Sequence, residues 1–359
     1  MSPRLPGRWK GIGEASMASR SNVTGAPEAA PAAPVPDAAS DELCAFCASE
    51  QEAFLRRQRT RCRALIAAAH VLLAALVALV LLPGAKSVPG PAPLLGGIAV
   101  MELLYLAALK RGQGKPACSW IVIIVWAFML LWELFTTQLN LLHPVLMPAP
   151  EAVFNVFATL YPELLTNVWS SLTLLLMGAA TAIAAGVLLG ALVGWLPELR
   201  DVFAPIARVL APIPSVVFAP YLVALMPTFR LASAMVIFLG LFWPTFLNTI
   251  LRVVSMDRRI VDSARMLGLS SFEMVRQVVL PYLVPGIVGG LNGQLTSAIM
   301  MLTFAEMLGA KSGMGYFIIN YTYFANYVNV VAGIIVVGIV VTLLNALINL
   351  AKRKLVKWC

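Results

Sequence analysis

The chain has 359 residues, of which 60% are hydrophobic and only 12% are charged. Charged residues normally fill about a quarter of the positions in a soluble domain, so this composition excludes an ordinary soluble fold and indicates a membrane protein. The net charge of +9 does not predict nucleic-acid binding, because the basic residues collect at the ends of apolar segments on one side of the predicted membrane.

Eight apolar segments are long enough, or nearly so, to cross ~30 Å of hydrocarbon as helices. In chain order they cover approximately residues 64–83, 94–110, 119–136, 168–195, 204–226, 231–251, 282–309 and 328–350. Prolines interrupt the fifth segment at positions 205, 212, 214 and 220, so a kinked or partly re-entrant span is expected there. The sequence therefore predicts an all-α, polytopic membrane helical bundle with about eight transmembrane helices.

Arginine and lysine mark one side of this predicted bundle. Five arginines between residues 56 and 63 precede the first segment, five more lie between residues 252 and 276, and four basic residues follow the last segment. The connections on the other side carry only Lys86, Arg230 and Lys311. The positive-inside rule then predicts a multi-pass protein of the plasma (cytoplasmic) membrane with both termini in the cytoplasm.

The first part of the chain differs from the rest. Residues 1–60 are rich in Ala, Pro and Ser, and they are expected to form a disordered cytoplasmic tail because they have too few bulky apolar residues to bury. Residues 61–115 hold two additional N-terminal transmembrane helices, in which Glu102 could pair with His70, and residues 116–359 form the predicted core. The tail contains a lone C-x-x-C pair at positions 44 and 47; a structural zinc site needs two more ligands, so no metal site is expected.

Small residues recur at every fourth position of the fourth segment. They are Gly178, Ala182, Gly186, Gly190 and Gly194. Such a stripe lets the backbone of another helix approach closely. The pattern does not say whether that helix belongs to the same chain or to a second copy, and both alternatives stay open.

The connection between the sixth and seventh segments contains the stretch VDSARMLGLSSFEMVRQVVLP, residues 261–281. Its signals for helix ends are an N-cap at Asp257, a glycine suited to a left-handed turn at Gly268, a second N-cap at Ser270 with its capping-box partner Glu273, and hydrophobic-staple positions at Leu269 and Met274. These signals predict two short helices joined by a tight turn at the membrane surface. Such a unit is suited to docking a cytoplasmic partner.

The same stretch resembles a known motif. Asp262-Ser263-Ala264, Gly268 and the run from Val278 to Pro281 match the spacing of the E-A-A-x3-G-x9-I-x-L-P loop found in permease subunits of ATP-binding-cassette (ABC) importers. The departures are Asp for Glu, Ser for the first Ala, and Val for Ile. In that family the loop inserts a coupling helix into a groove of the ATPase. The resemblance therefore implies that residues 255–281 form the coupling loop, with six ATPase-coupling residues: Asp262, Ser263, Ala264, Gly268, Leu280 and Pro281.

The likeness extends over roughly residues 118–357 and is similar to the nitrate, sulfonate and taurine branch of these permeases. It implies a type I ABC importer permease fold and the uptake of a small solute, with an anion such as nitrate, sulfonate, taurine or bicarbonate expected. A neutral substrate stays open as an alternative, because no lysine or arginine lies deep within the core segments. It also implies three protein partners, namely an ABC ATPase subunit, an extracytoplasmic substrate-binding protein and a second permease copy, in addition to membrane lipid. The segment GAKSGMG at 309–315 lacks the order of a phosphate-binding loop, so ATP is expected on the separate ATPase, and this chain is expected to be neither an enzyme nor a holder of a cofactor.

Polar side chains inside membrane helices are costly and often mark a transport pathway. The candidates are Asn248, Asn292, Gln294, Thr296, Ser297 and Glu306. Hydrogen bonds between helices would account for the same residues, and this alternative stays open. Arg230 and Lys311 are expected near the outer mouth, where they would contact substrate or, more simply, a docked binding protein.

An alternative function is that of a secondary carrier driven by an ion gradient, which needs no ATPase. Such carriers often contain paired ionisable groups at the midplane and two matching repeats with broken helices. The core segments contain no evident repeat and no deep carboxylate pair. The permease is therefore the preferred hypothesis, and uptake by the chain alone would favour the carrier.

Overall fold

The computed structural model describes residues 60–84, 90–110, 116–143 and 145–355. Nearly all of the predicted tail, including its C-x-x-C pair, lies outside the described residues. The helices are α1 (Thr60–Leu81), α2 (Ala92–Lys110), α3 (Pro116–Glu133), α4 (Pro150–Thr159), α5 (Tyr161–Trp195), α6 (Pro197–Leu210), α7 (Ala219–Leu225), α8 (Phe229–Val254), α9 (Arg258–Met266), α10 (Ser271–Glu273), α11 (Leu280–Met307), α12 (Met314–Tyr323) and α13 (Tyr327–Leu355). No strand occurs among the residues described, so the predicted all-α bundle is confirmed.

Within the described ranges, seven helices are long and apolar enough to cross a membrane. They are α1, α2, α3 with the π-helical turn that extends it to Gln138, α5, α8, the continuous helix Ser271–Met307, and α13. An eighth crossing is a broken one, in which α6 and the helical segment Ser215–Leu225 meet at 82°. Pro212 and Pro214 lie in the break. Neither has an N–H to continue the helical hydrogen bonds, which explains the predicted interruption.

The predicted stripe of small residues packs within the chain. It lies along α5 and faces α8 from end to end. A Cβ atom added at Gly178 would lie 3.0 Å from Ile237, and one added at Gly190 would lie 2.8 Å from the Cβ of Thr249. The absence of side chains therefore lets the two backbones approach closely, as in other membrane helix pairs.

A third helix completes this core. Leu175 and Ala182 of α5, Ile237 of α8, and Ala298 and Leu302 of α11 form one buried apolar cluster. The three helices are thus joined by side-chain packing along their apolar faces, and they provide the rigid frame from which the loops at both membrane surfaces project.

The N-terminal helices α1, α2 and α3 pack around Trp126, which is 1% exposed. His70 Nε2 of α1 lies 3.2 Å from a carboxylate oxygen of Glu102 in α2, so the expected pair forms. Gly97 of α2 abuts the ring of Phe154 in α4. The helix α3 was expected to begin the core, yet it shares a cluster with the two additional helices. The domain boundary between residues 115 and 116 stays a prediction.

One expectation about the loop after α8 is wrong. Two short helices were predicted there, but only α9 is short. The second begins at Ser271 and continues through a π-helical segment, Met274–Val279, into a helix that ends at Met307. The π segment directly precedes Leu280 and Pro281. Proline cannot donate the backbone hydrogen bond of a regular α-helix, and the wider turn keeps the chain helical across this position.

Candidate functional site

The loop between α8 and α9 and the turn after α9 are held by local hydrogen bonds. The Asp257 carboxylate accepts a hydrogen bond from the backbone N–H of Arg259 at 2.9 Å. Ser270 and Glu273 form the predicted capping box, in which the Ser270 N–H donates to Glu273 at 2.8 Å and the Glu273 N–H donates to the Ser270 hydroxyl at 3.3 Å. Between them Gly268 has φ +71°, as predicted. These bonds define both helix ends without any contact to the rest of the bundle.

Apolar contacts anchor the same turn to the membrane helices. Met274 is buried, and it shares one cluster with Ala264 of α9, Ala191 of α5 and Val253 of α8. Leu269 packs against this cluster, so the predicted staple positions Leu269 and Met274 belong to the same contact. The turn after α9 is therefore in direct contact with the C-terminal ends of α5 and α8.

The tip of this unit carries three bulky apolar side chains that contact little else. Met266 is 90% exposed, Leu267 is 79% exposed and Phe272 is 74% exposed. We call these three residues the apolar tip. These residues were not among those predicted from the sequence, although bulky apolar residues beside Gly268 in a polar stretch were a signal. Bulky apolar side chains exposed together in a polar turn indicate an interaction surface.

The predicted coupling residues lie in two places. We call α9 and the turn that follows it, residues 258–270, the α9 turn, and the buried cluster around Met274 the anchoring cluster. The α9 turn holds Asp262 and Ser263 at its exposed surface, Ala264 in the anchoring cluster and Gly268 at the left-handed position. The Ser263 hydroxyl donates to the Arg259 carbonyl at 2.7 Å. Leu280 and Pro281 lie farther along the chain, after the π segment, where Leu280 packs against the anchoring cluster.

Two candidate pathway residues make hydrogen bonds between helices. The Gln294 amide donates to the Thr245 hydroxyl of α8 at 3.1 Å. The Asn292 amide donates to Asn349 of α13 at 2.8 Å. These contacts match the alternative that such residues join helices, and they leave the side-chain oxygens of Asn292 and Gln294 buried without a partner among the described residues.

Other candidates lie on open surfaces of the bundle. Thr296 and Ser297 are exposed on α11, and Asn248 is exposed on α8. Gly289 and Gly293 continue the exposed α11 surface, with no atom within 4 Å of an added Cβ at either position. Gly289, Gly293 and Thr296 share one helical face because they are spaced by three, four or seven residues, and Ser297 lies four residues after Gly293 at the edge of the same face. We call this face the α11 polar stripe.

Glu306 is separate from that stripe. It is 1% exposed, and its carboxylate accepts hydrogen bonds from the Ser171 hydroxyl at 2.6 Å and from the Gly315 N–H at 2.8 Å. The Ser171 oxygen in turn accepts from the Met314 N–H at 2.8 Å. The preceding amide, that of Gly313, donates to the Asn167 side-chain oxygen at 2.9 Å. Glu306 therefore fastens the loop after α11 to α5.

We expect Glu306→Leu to destabilise the protein by about 2–6 kcal/mol, because two buried donors lose their acceptor and each costs about 1–3 kcal/mol. Glu306→Gln retains one acceptor oxygen and is the matched control, with a smaller loss. Thermal unfolding of the purified chain in detergent measures both. If the Leu variant has the same unfolding temperature as the wild type but does not support transport, the carboxylate would instead belong to the transport pathway.

The many apolar spans, the anchored surface turn and the polar helix faces define a polytopic membrane protein of the transport-permease class. The profile of the family described as binding-protein-dependent transport system inner membrane component matches residues 182–358. The nitrate import permease protein NrtB of Leptolyngbya laminosa is 32% identical over 187 residues, covering 52% of this chain and 67% of that protein. The chain belongs to this family of inner-membrane transport components, which confirms the predicted relationship and the predicted permease fold.

Other relatives extend the likeness toward the N-terminus. The taurine transport system permease protein TauC of Escherichia coli (strain K12) is 26% identical over 245 residues, covering 66% of this chain and 86% of TauC. SsuC of Bacillus subtilis (strain 168), named as an aliphatic sulfonates transport permease, is 25% identical over 255 residues, covering 70% of this chain and 92% of SsuC. A chain of the inward-facing MetNI methionine ABC transporter has a TM-score of 0.47 at 19% identity, over 55% of this chain and 97% of that chain.

Proposed function

We propose that this chain is the transmembrane permease subunit of an ATP-driven importer, and that it couples to a separate ATPase through the α9 turn. The observation that carries the proposal is the apolar tip on a rigid, capped turn. An apolar surface of this kind is unfavourable in water, and a cytoplasmic partner would cover it. ATP would be bound and hydrolysed by that partner.

The anchoring cluster supports the coupling role. A partner that binds Leu267 and Phe272 would displace α9 when it moves. The contacts of Ala264 and Met274 would then transmit the displacement to α5 and α8. Asp262 and Arg265 are exposed beside the tip and would give the contact its polar rim. Movement at the membrane surface would then change the packing of the helices that form the pathway.

The α11 polar stripe supports a second copy of the chain. Glycine, threonine and serine give a membrane helix little apolar area to present to lipid, and they allow close approach or line water-filled paths. We propose that two copies assemble with these stripes toward each other. The pathway would run between the copies past Thr296, Ser297 and Asn248.

The expected substrate is a small anion. The names of the relatives refer to aliphatic sulfonates, taurine and nitrate, and all of these contain a compact group of oxygen atoms with negative charge. We propose that a binding protein outside the cytoplasmic membrane delivers the anion. Both chain ends would lie in the cytoplasm, on the side of the α9 turn.

The test replaces one tip residue. Phe272→Asp removes apolar area and adds charge, so we expect at least tenfold less P-loop ATPase to copurify with the chain from gently solubilised native membranes, measured by mass spectrometry; tenfold corresponds to about 1.4 kcal/mol. Ser271→Asp is the matched control. It adds the same charge at the neighbouring exposed position, where a helix N-terminus tolerates it.

Two results would count against the proposal. Equal recovery of the ATPase with Phe272→Asp and with the wild type would exclude the tip as the docking surface. Gradient-driven uptake by the chain alone in liposomes, without any ATPase, would favour the secondary carrier.

A further inference from the structure

A cavity of about 370 Å³ opens at the end of the bundle opposite the α9 turn. It lies between α5, the first turn of α8 and the loop that follows α11. Its polar lining consists of Ser170, Thr228, Arg230, Ser233, Lys311 and Ser312. Because α8 and α11 each cross the bundle once, this cavity and the apolar tip lie at opposite membrane surfaces.

The cavity is positively charged. Arg230 and Lys311 both line it, and no acidic residue is among its lining. Neither cation forms an ion pair within the described parts of the chain. One guanidinium nitrogen of Arg230 donates to the Thr173 hydroxyl at 3.3 Å, which leaves other donors of the planar group for a ligand.

The nearby carboxylates have partners of their own. Glu306 accepts from Ser171 and Gly315. Glu163, which lines an adjoining cavity with Lys311, accepts from the Tyr321 hydroxyl at 3.2 Å. Burial, and after it the charge of Glu163, raises the pKa of Tyr321, so the hydroxyl remains a donor. Neither carboxylate lines the first cavity, and neither forms an ion pair with Lys311 among the described residues.

Neutral donors add to the two charges. The Ser170 and Ser312 hydroxyls are 2.8 Å apart, and either can turn its hydrogen toward a ligand. Thr228, Phe229 and Arg230 form the start of the long helix α8, so the positive end of its dipole lies at the cavity. Charged and neutral donors around one space are the usual means of binding an oxyanion.

The loop that carries Lys311 and Ser312 is held in place before any ligand binds. Gly313, the residue that follows Ser312, has φ +132°, and its N–H is bonded to Asn167. Glu306 fastens the loop at the end of α11. A site that needs no ordering on binding loses less entropy, which favours affinity for a small ligand.

One wall of the cavity is apolar. It is formed by Leu174, Pro227 and Phe229. An inorganic oxyanion would leave this apolar wall exposed to water. An oxyanion with a short alkyl chain would cover the wall, which is favourable. The two kinds of lining thus suit a ligand with one anionic end and one aliphatic end.

We infer that this cavity is an entry site for a small organic oxyanion, with Arg230, Lys311 and the Ser170/Ser312 hydroxyls at the anionic group and Leu174 and Phe229 at a short alkyl chain. Alkanesulfonates are the chemical class that fits best. The inference rests on the proposed function for its role in import, since the site would receive the anion before it enters the pathway. Anion binding itself can be measured without an ATPase.

The test is calorimetric titration of the full chain, purified in detergent at low ionic strength, with 1-propanesulfonate. We expect saturable binding by the wild type. Arg230→Gln and Lys311→Gln should each weaken it by roughly tenfold or more, because each removes a charged donor. Lys354→Gln, which removes an exposed cation at the opposite end of the bundle, is the matched control and should bind as the wild type does.

The neutral analogue 1-propanesulfonamide and inorganic nitrate complete the experiment. The sulfonamide should bind at least tenfold more weakly than the sulfonate, and nitrate should also bind more weakly because it lacks the alkyl chain. Equal binding of the sulfonate by all variants would overturn the site. The site would also be overturned if the wild-type chain copurifies with an ATPase but does not bind the sulfonate. Nitrate binding tighter than that of the sulfonate would overturn the alkyl assignment. Sulfonate binding lost in Arg230→Gln and Lys311→Gln, in a chain that recovers no ATPase, would support the site and contradict the proposed function.

Discussion

In an importer of the kind proposed, Gly268→Val will lower ATP-dependent uptake by about 5- to 30-fold while leaving the helical bundle intact. Gly268 has φ +71°, a left-handed conformation that costs other residues about 1–2 kcal/mol, and such an energy shifts a local equilibrium by that factor. No atom lies within 4 Å of an added Cβ, so the effect acts through the backbone and not through a clash. A β-branched residue at such a φ is a pronounced outlier, and the turn would rearrange and displace Leu267.

The matched control is Gly268→Asn, since asparagine adopts the left-handed conformation more readily than most residues. We expect this variant to retain most uptake. Thermal unfolding should be nearly the same for both variants and the wild type, because the turn is exposed. Uptake at the wild-type level in Gly268→Val, with normal recovery of the ATPase, would contradict the coupling role of the α9 turn.

Gly190→Leu will destabilise the packing of α5 against α8. An added Cβ at Gly190 would lie 2.8 Å from the Cβ of Thr249 and 2.9 Å from the carbonyl oxygen of Phe246, so even the first atom of the new side chain meets backbone. Overpacking of a well-packed core costs about 1–3 kcal/mol and occasionally more. The contact lies near the C-terminal ends of α5 and α8. Cβ atoms added at the neighbouring Gly186 and Gly194 would lie 3.1 Å and 2.9 Å from side-chain atoms of α8. We expect poor accumulation in the membrane and a lower unfolding temperature in detergent.

Gly96→Leu is the control for that experiment. Gly96 lies in α2, where no atom is within 4 Å of an added Cβ, so the same substitution adds apolar area to a membrane helix without a clash. Its unfolding temperature should match that of the wild type. A Gly190→Leu chain that keeps wild-type stability but changes its oligomeric state would show that the stripe joins two copies and not two helices of one chain.

Local signals predicted local structure well. The residues of the caps, Asp257, Ser270 and Glu273, bond to backbone groups two or three positions away, so their geometry follows from the order of the residues alone. Gly268 has the left-handed conformation expected at the end of a helix. The lengths of the apolar segments likewise predicted the crossings, because a helix in lipid must satisfy its backbone hydrogen bonds internally.

Two features could not be predicted from local signals. They are the helix that packs on the small residues of α5 and the length of the helix that begins at Ser271. A stripe of glycines predicts a close helix neighbour but contains no information on which helix it is. Ser270 correctly marked a helix start, yet the caps did not reveal that the helix continues past Pro281, since a π segment can bypass a residue that normally interrupts a helix. The residues of the apolar tip could likewise be identified in the sequence as apolar. Only the structure shows that they are exposed and do not belong to the buried core.

Four properties follow from the amino-acid sequence: the membrane class, the number and approximate limits of the crossings, the capped turn and the family resemblance. Each of them depends on composition or on residues close together in the chain. Three others required the folded chain: the glycine stripe packs on α8, Glu306 bonds to Ser171 and Gly315, and Arg230 and Lys311 line one cavity. Those contacts join residues far apart in the chain, and only the packing of whole helices brings them together.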